Sequence, residues 1–124
     1  MFSCNRHETN LIMQDKLGGA VRRYDKALGC PHAPGAKILI TSKFTHENPG
    51  KDTPIAEGQV VSVRPGTVGE FRRNDTIAKI DGFPNAVAWH TYFSRHVYPG
   101  IKDTEPVHHI QMRVTKIEKN PPKL

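Results

Sequence analysis

The sequence predicts an α+β domain built as a small β-barrel with two or three flanking short helices. The chain has 124 residues, which is the usual length of one domain. Short segments rich in β-branched residues alternate with short helical patterns, as in α+β folds. The open edges of so small a sheet must be covered or closed, and a barrel closes them. We expect one domain over residues 1–119 and a flexible tail at 120–124.

Capping residues predict the first two helices. Asn5 and Glu8 have the spacing of a capping box, in which the Asn side chain accepts from a first-turn amide and the Glu side chain reaches back. This pattern predicts a helix over residues 6–14. Asn74 or Asp75 can cap a second short helix that ends near Gly82. Residues 76–80 also alternate like a strand, but the caps favour the helix.

The stretch IDGFPNAVAWHTYFSRHVYPG, at residues 80–100, contains the one Trp of the chain. Asn85 is typical of a helix start, and apolar residues recur at helical spacing up to Val97. A helix is therefore predicted over residues 85–96. Its aromatic face, with Trp89 and Phe93, is expected to lie in the core, because large aromatic residues at this spacing usually pack. A base-stacking surface is the alternative interpretation.

Three segments have the composition of strands. Residues 36–44 place Ile38 and Ile40 on one face, and residues 56–66 form a second strand that Pro65 should end. Residues 107–119 place Ile110 and Met112 on one face of a third strand. Residues 20–26 are compatible with a further strand or with a basic loop.

The composition indicates a soluble, cytoplasmic protein without a membrane partner. Hydrophobic residues make up 36% and charged residues 24% of the chain. No apolar run approaches the ~20 residues that a membrane helix needs. The N-terminus carries polar residues where a signal peptide is apolar. Cys4 and Cys30 are accordingly expected to be reduced thiols.

The formal net charge of +6 favours a polyanionic partner, above all RNA or single-stranded nucleic acid. Arg22, Arg23 and Tyr24 combine two cations with an aromatic ring, which suits phosphate pairing and base stacking. Arg64 belongs to a second basic group. If the fold brings these groups together, they form a strip along a phosphate backbone.

Metal and cofactor sites are not predicted. The chain has seven His and two Cys. The nearest candidates, Cys30 with His32 and His108 with His109, lack the spacing of zinc ligands. A phosphate-binding loop and a hydrolase nucleophile elbow are also missing from the sequence.

The segments IDGFPNAVAWHTYFSRHVYPGI and EPVHHIQMRVTKIE resemble the C-terminal half of ASCH domains, which belong to the PUA-like superfamily. The resemblance rests on the D-G-F turn, the following helix, the Y-P-x-I pattern and the closing strand. A weaker similarity covers LIMQDKLGGAVRRY, at residues 11–24. The family implies a PUA-like β-barrel with a cleft beside it that binds RNA or modified nucleosides.

The resemblance also identifies Lys16 as the counterpart of the family's G-x-K lysine. Some small bacterial members resemble amidohydrolases that deacetylate 4-acetylcytidine with a Lys, a nearby Thr and a later Glu. Here neither Thr nor Ser follows Lys16 closely. The acidic residue that the family motif has three positions after the Lys is replaced by Gly19. The later carboxylate could be Glu70, Asp75 or Asp81. Lys16 is therefore a catalytic candidate only if the protein is an enzyme.

Three functions are compatible with the sequence. The first is a non-catalytic domain that binds RNA or a nucleotide through Lys16, Arg22, Arg23, Tyr24 and Arg64. The second is a hydrolase, either an amidohydrolase on a modified nucleoside or a ribonuclease. The third is a protein-binding regulator on the same scaffold, since a fold does not fix a function.

Overall fold

A computed structural model describes residues 2–14, 16–23, 32–45 and 49–117. Tyr24, Cys30 and the tail at 120–124 lie outside these ranges, so the predictions made for them stay predictions. Within the described ranges the chain forms five strands. They are β1 (Phe2–Cys4), β2 (Gly19–Arg23), β3 (Lys37–Ser42), β4 (Thr53–Thr67) and β5 (Pro106–Ile117).

The strands form one sheet in the order β1-β3-β4-β5-β2. β1 pairs with β3 in parallel, and the other pairs are antiparallel. The sheet curls into a half-barrel, so the predicted α+β barrel class is confirmed. One side chain links the two edge strands, because Arg22 Nη2 donates to the Ser3 carbonyl oxygen at 3.0 Å.

The helices begin where the caps predicted them. α1 (Arg6–Met13) has the complete Asn5–Glu8 capping box. α3 (Asp75–Ile80) begins at Asn74, whose side chain accepts from the Ile77 amide. α4 (Ala86–Tyr92) begins at Asn85 and continues as a π-helical turn, Phe93–Val97.

One helix was not predicted. α2 (Val68–Phe71) follows β4 directly, and the Thr67 side chain caps it by accepting from the Glu70 amide. Thr67 and Glu70 have the T-x-x-E spacing of a capping box, so the signal was present in the sequence.

The prediction that Pro65 ends its strand was wrong. β4 continues to Thr67, and Pro65 lies opposite His108 of β5. β3 pairs with β4 only as far as Gln59. Val60 still bonds to Gly35 and Ala36, but at Pro65 the described residues place only β5 beside β4. A proline is tolerated where its missing N–H would face an open edge.

Two groups of buried residues form the core. The first core cluster fills the half-barrel and includes Phe2, Ile12, Ile40, Ile55, Ile110 and Met112. The second core cluster lies between the sheet and α2–α4 and includes Val21, Phe71, Ile77, Trp89, Phe93 and Val107.

The core prediction for residues 80–100 is confirmed. Trp89 and Phe93 are each 3% exposed, and their rings stack with centroids 4.8 Å apart. In the described part of the chain, no helix has the length and apolar character to cross a bilayer.

Candidate functional site

A cleft lies beside the half-barrel, between α1, β2 and the segment from Asp81 to Val97. Its cavity of about 20 Å³ has room for one water-sized group, which needs ~10–15 Å³. The lining includes titratable side chains from α1, β2 and the turn after α3: His7, Glu8, Arg22 and Asp81. The concentration of these groups in a buried position marks the cleft as the candidate site.

Asp81 and His109 form a buried pair at the cleft. His109 Nε2 lies 2.7 Å from Asp81 Oδ1, and each residue is 3% exposed. The other carboxylate oxygen, Asp81 Oδ2, is buried and has no hydrogen-bond partner among the described residues. Burial raises the pKa of Asp81, although the hydrogen bond from His109 opposes the shift. The site therefore holds an acceptor that a ligand N–H or O–H can satisfy.

Glu8 and Arg22 form a second pair. Arg22 Nη1 donates to Glu8 Oε2 at 2.8 Å, and Nη2 donates to Oε1. The guanidinium also lies over the Phe2 ring, with Cζ 4.3 Å from the centroid. The capping box fixes Glu8 in the first turn of α1, so the helix start and the edge of β2 are tied together.

Three rings in mutual contact form what we call the ring cluster: His7, Phe83 and Tyr92. His7 and Phe83 stack with centroids 4.1 Å apart, and Tyr92 lies 5.4 Å from His7. The Tyr92 hydroxyl accepts from the His7 amide, and His7 Nε2 donates to the Asp81 carbonyl oxygen at 3.0 Å. All three rings line the cleft and are partly exposed.

Local backbone conformation positions Phe83. Asp81 ends α3, and Gly82 has a φ of +85°. A Cβ at Gly82 would also lie 2.6 Å from Leu11 Cδ1 of α1. The D-G-F turn therefore requires glycine, both for its left-handed backbone and for the contact with α1.

Gly19 lies three positions after Lys16, where the resemblance implies an acidic residue. A Cβ at this position would lie 2.8 Å from His109 Nε2 and 2.9 Å from Asp81 Oδ1. The Asp81–His109 pair fills the space in which a side chain three residues after Lys16 would lie. An acidic side chain at Gly19 would displace that pair.

A separate groove lies next to the cleft, and Val97 lines both. The groove has a volume of about 420 Å³ and is formed by Arg23, residues 97–102 and Glu105. Its side chains include two cations, Arg23 and Lys102, and one anion, Glu105.

The structure separates the predicted binding residues. Arg22 and Arg23 are consecutive in β2, so their side chains leave opposite faces of the strand. Arg22 lines the cleft, and Arg23 lines the groove. Lys16 follows α1 and is exposed, and Arg64 is exposed on β4 opposite His109. Of these four described cations, one lines the cleft and one lines the groove.

Sequence reasoning missed several of the residues that line the cleft. Glu8 was recognised only as a capping residue, and Asp81 was one of three candidates for the later carboxylate of the family. The ring cluster was not anticipated, because His7 lies far from Phe83 and Tyr92 in sequence. Cys4 lies in the first core cluster, where burial raises the pKa of its thiol, so it supplies no reactive group.

Comparison with known proteins gave matches among solved structures. A DUF984-family protein from Enterococcus faecalis superposes with a TM-score of 0.64 and 13% identity, covering 93% of this chain and 73% of that one. An ASCH domain from Lactobacillus crispatus superposes with a TM-score of 0.60 and 14% identity, covering 93% of this chain and 80% of that one. The chain has the ASCH-domain fold.

A third similar structure is an ASCH protein from Zymomonas mobilis, with a TM-score of 0.57 and 17% identity. That match covers 98% of this chain and 76% of the other. No protein-family model and no curated protein sequence matches the chain. At identities this low, the matches establish the fold only. The function must be argued from the residues of the site.

Proposed function

We propose that this ASCH-fold domain binds RNA or a nucleotide without catalysing a reaction, and that a base stacks on the ring cluster at the mouth of the cleft. The observation that carries the proposal is the contact of three partly exposed rings, His7, Phe83 and Tyr92. They lie beside a buried carboxylate oxygen that has no partner among the described residues. The cavity itself holds only a water-sized group, so the base lies against the rings at the mouth.

The chemistry of a nucleobase suits this arrangement. Every base offers a π-face, and stacking on an aromatic side chain contributes about 1–3 kcal/mol. Bases also carry N–H donors at their edges, and one water in the cavity can connect such a donor to Asp81 Oδ2. The net charge of +6 supplies the long-range attraction for a polyanion. Exposed cations outside the cleft, Arg23, Lys16 and Arg64 among them, are available to phosphates.

The test is a titration with short fluorescent single-stranded RNA at two salt concentrations. Tyr92→Ala should weaken binding by about 1–3 kcal/mol, whereas Tyr92→Phe, which retains the ring, should bind like wild type. Val87→Ala on the same helix is the matched control, because Val87 is 73% exposed and outside the cleft. Circular dichroism confirms that each variant is folded.

Two outcomes contradict the proposal. One is the absence of saturable binding at low salt, which would make the protein-binding regulator the first choice. The other is a Tyr92→Ala variant that binds RNA as tightly as Val87→Ala, which would show that the base does not stack on the ring cluster.

A hydrolase is the second candidate, and the Asp81–His109 pair favours it. A carboxylate beside an imidazole can hold and deprotonate a water, and the neighbouring cavity has the size of one water. Both groups are almost fully buried, and neither Thr nor Ser follows Lys16 closely, so the non-catalytic function is preferred. Incubation with end-labelled RNA and with 4-acetylcytidine tests the alternative. Cleavage or deacetylation that His109→Ala abolishes would establish it.

A further inference from the structure

We propose that the groove beside Arg23 is an anion-binding site that takes a phosphate group, and that Glu105 holds the Arg23 side chain in position for it. The groove lies outside the ring cluster and the buried pairs of the cleft. Its residues come from the end of β2, the turn after the π-helical segment and the approach to β5.

Glu105 and Tyr98 contact one side of the Arg23 guanidinium. Its Nε donates to Glu105 Oε1 at 2.9 Å, and its Cζ lies 5.6 Å from the centroid of the Tyr98 ring. The Tyr98 hydroxyl also accepts from the Arg23 backbone amide at 3.2 Å. These contacts fix the base of the side chain and leave 57% of it exposed.

The outer edge of the guanidinium has no partner within the described ranges, where neither Nη atom of Arg23 makes a hydrogen bond. Two parallel N–H donors are the fork that binds two oxygens of one phosphate. Lys102 lines the same groove and adds a second positive charge. Since Glu105 neutralises one of the two cations, the described lining of the groove has a net positive charge that a phosphate can balance.

The size and location of the groove fit this ligand. Its volume of about 420 Å³ is within the ~300–1,000 Å³ typical of ligand pockets. Val97 lines both the groove and the cleft, so a base at the ring cluster and a phosphate in the groove can belong to one strand. In that respect the inference rests on the proposed RNA-binding function, but the groove can also bind phosphate alone.

The test uses inorganic phosphate and follows the backbone amide resonances of Arg23 and Lys102 by NMR. Arg23→Ala should weaken phosphate binding about tenfold, because it removes charged hydrogen bonds. Glu105→Gln keeps an acceptor for Arg23 Nε and removes the competing negative charge, so it should tighten binding.

Asp103→Asn is the matched control for Glu105→Gln. It removes one negative charge from the same loop, but Asp103 pairs with Arg72, at 2.9 Å, and does not line the groove. If both variants tighten phosphate binding equally, the effect is one of net charge and the proposed role of Glu105 is overturned. Phosphate binding that Arg23→Ala leaves unchanged overturns the site itself.

A second arm separates this inference from the proposed function. With single-stranded RNA, Arg23→Ala should lower the slope of log K against log salt by about 0.7, the value for one phosphate contact. If phosphate binds at the groove and RNA does not bind at all, the anion site stands and the RNA-binding proposal fails. If RNA binds through Tyr92 and phosphate shifts no groove resonance, the RNA-binding proposal stands and the anion site fails.

Discussion

Arg22 lies with its guanidinium between the Glu8 carboxylate, the Ser3 carbonyl oxygen and the Phe2 ring. A sequence shows Arg22 as one of two adjacent cations and cannot show that a carboxylate 14 positions earlier lies against it. The Glu8 and Arg22 side chains are 6% and 19% exposed. Because the pair is largely buried, it stabilises the packing of α1 against β2, and the Arg22–Ser3 hydrogen bond connects β2 to β1.

Arg22→Ala should therefore lower the free energy of unfolding by about 3–5 kcal/mol, because it leaves the Glu8 carboxylate buried without its cation. Arg23→Ala, one residue further along, should cost about 1 kcal/mol or less, since its pair with Glu105 is exposed. Urea denaturation of both variants measures the difference. Equal stabilities would show that the Glu8–Arg22 pair does not hold the strands together.

α4 and its π-helical turn carry Trp89, Tyr92 and Phe93, which differ in burial. Trp89 and Phe93 are buried in the second core cluster and line the cleft from the inside, whereas Tyr92 is partly exposed and belongs to the ring cluster. A π turn inserts one extra residue into the helical repeat and often occurs at functional sites. Here it lies directly between the cleft and the groove, since Phe93 lines the first, Tyr98 the second and Val97 both.

Phe93→Ala should destabilise the domain by about 3–5 kcal/mol, because it removes a buried ring and leaves a cavity next to Trp89. Val87→Ala on the exposed side of α4 should change stability by less than about 0.5 kcal/mol. Chemical denaturation monitored by Trp89 fluorescence compares the two variants. A loss below about 1 kcal/mol for Phe93→Ala would be incompatible with its buried position.

The boundaries of the elements show how far a sequence can predict them. α1, α3 and α4 begin at Asn5, Asn74 and Asn85, because a cap depends on residues three positions apart and can be read locally. The extension of β4 past Pro65 depends on which strands lie beside it, and that pairing is not local. The π turn likewise has no signature in the sequence.

The same distinction applies to the candidate site at the scale of the whole molecule. The positive net charge could be counted from the sequence, but its distribution could not. The described lining of the cleft contains one arginine, Arg22, and two carboxylates, Glu8 and Asp81. The exposed cations lie outside the cleft. Residues such as His7 and Phe83 come together only because α1 packs beside the turn after α3.

β2 and β5 join the two core clusters, because each strand contributes residues to both. Ala20 and Ile110 belong to the first cluster, and Val21 and Val107 belong to the second. Neither cluster can lose its packing without disturbing a strand that the other one needs. We therefore predict that the half-barrel and the helical layer unfold as one cooperative unit.

The one Trp of the chain makes this prediction testable, because Trp89 lies in the second cluster only. Ile40→Val, a change within the first cluster, should cost about 0.5–1.5 kcal/mol and lower the melting temperature by several degrees. Thermal unfolding is followed by Trp89 fluorescence and by far-ultraviolet circular dichroism. Both signals should shift together in Ile40→Val, because a cooperative unit transmits the loss to the distant Trp. If the fluorescence transition stays at its wild-type temperature while the circular dichroism transition moves, the half-barrel and the helical layer unfold independently.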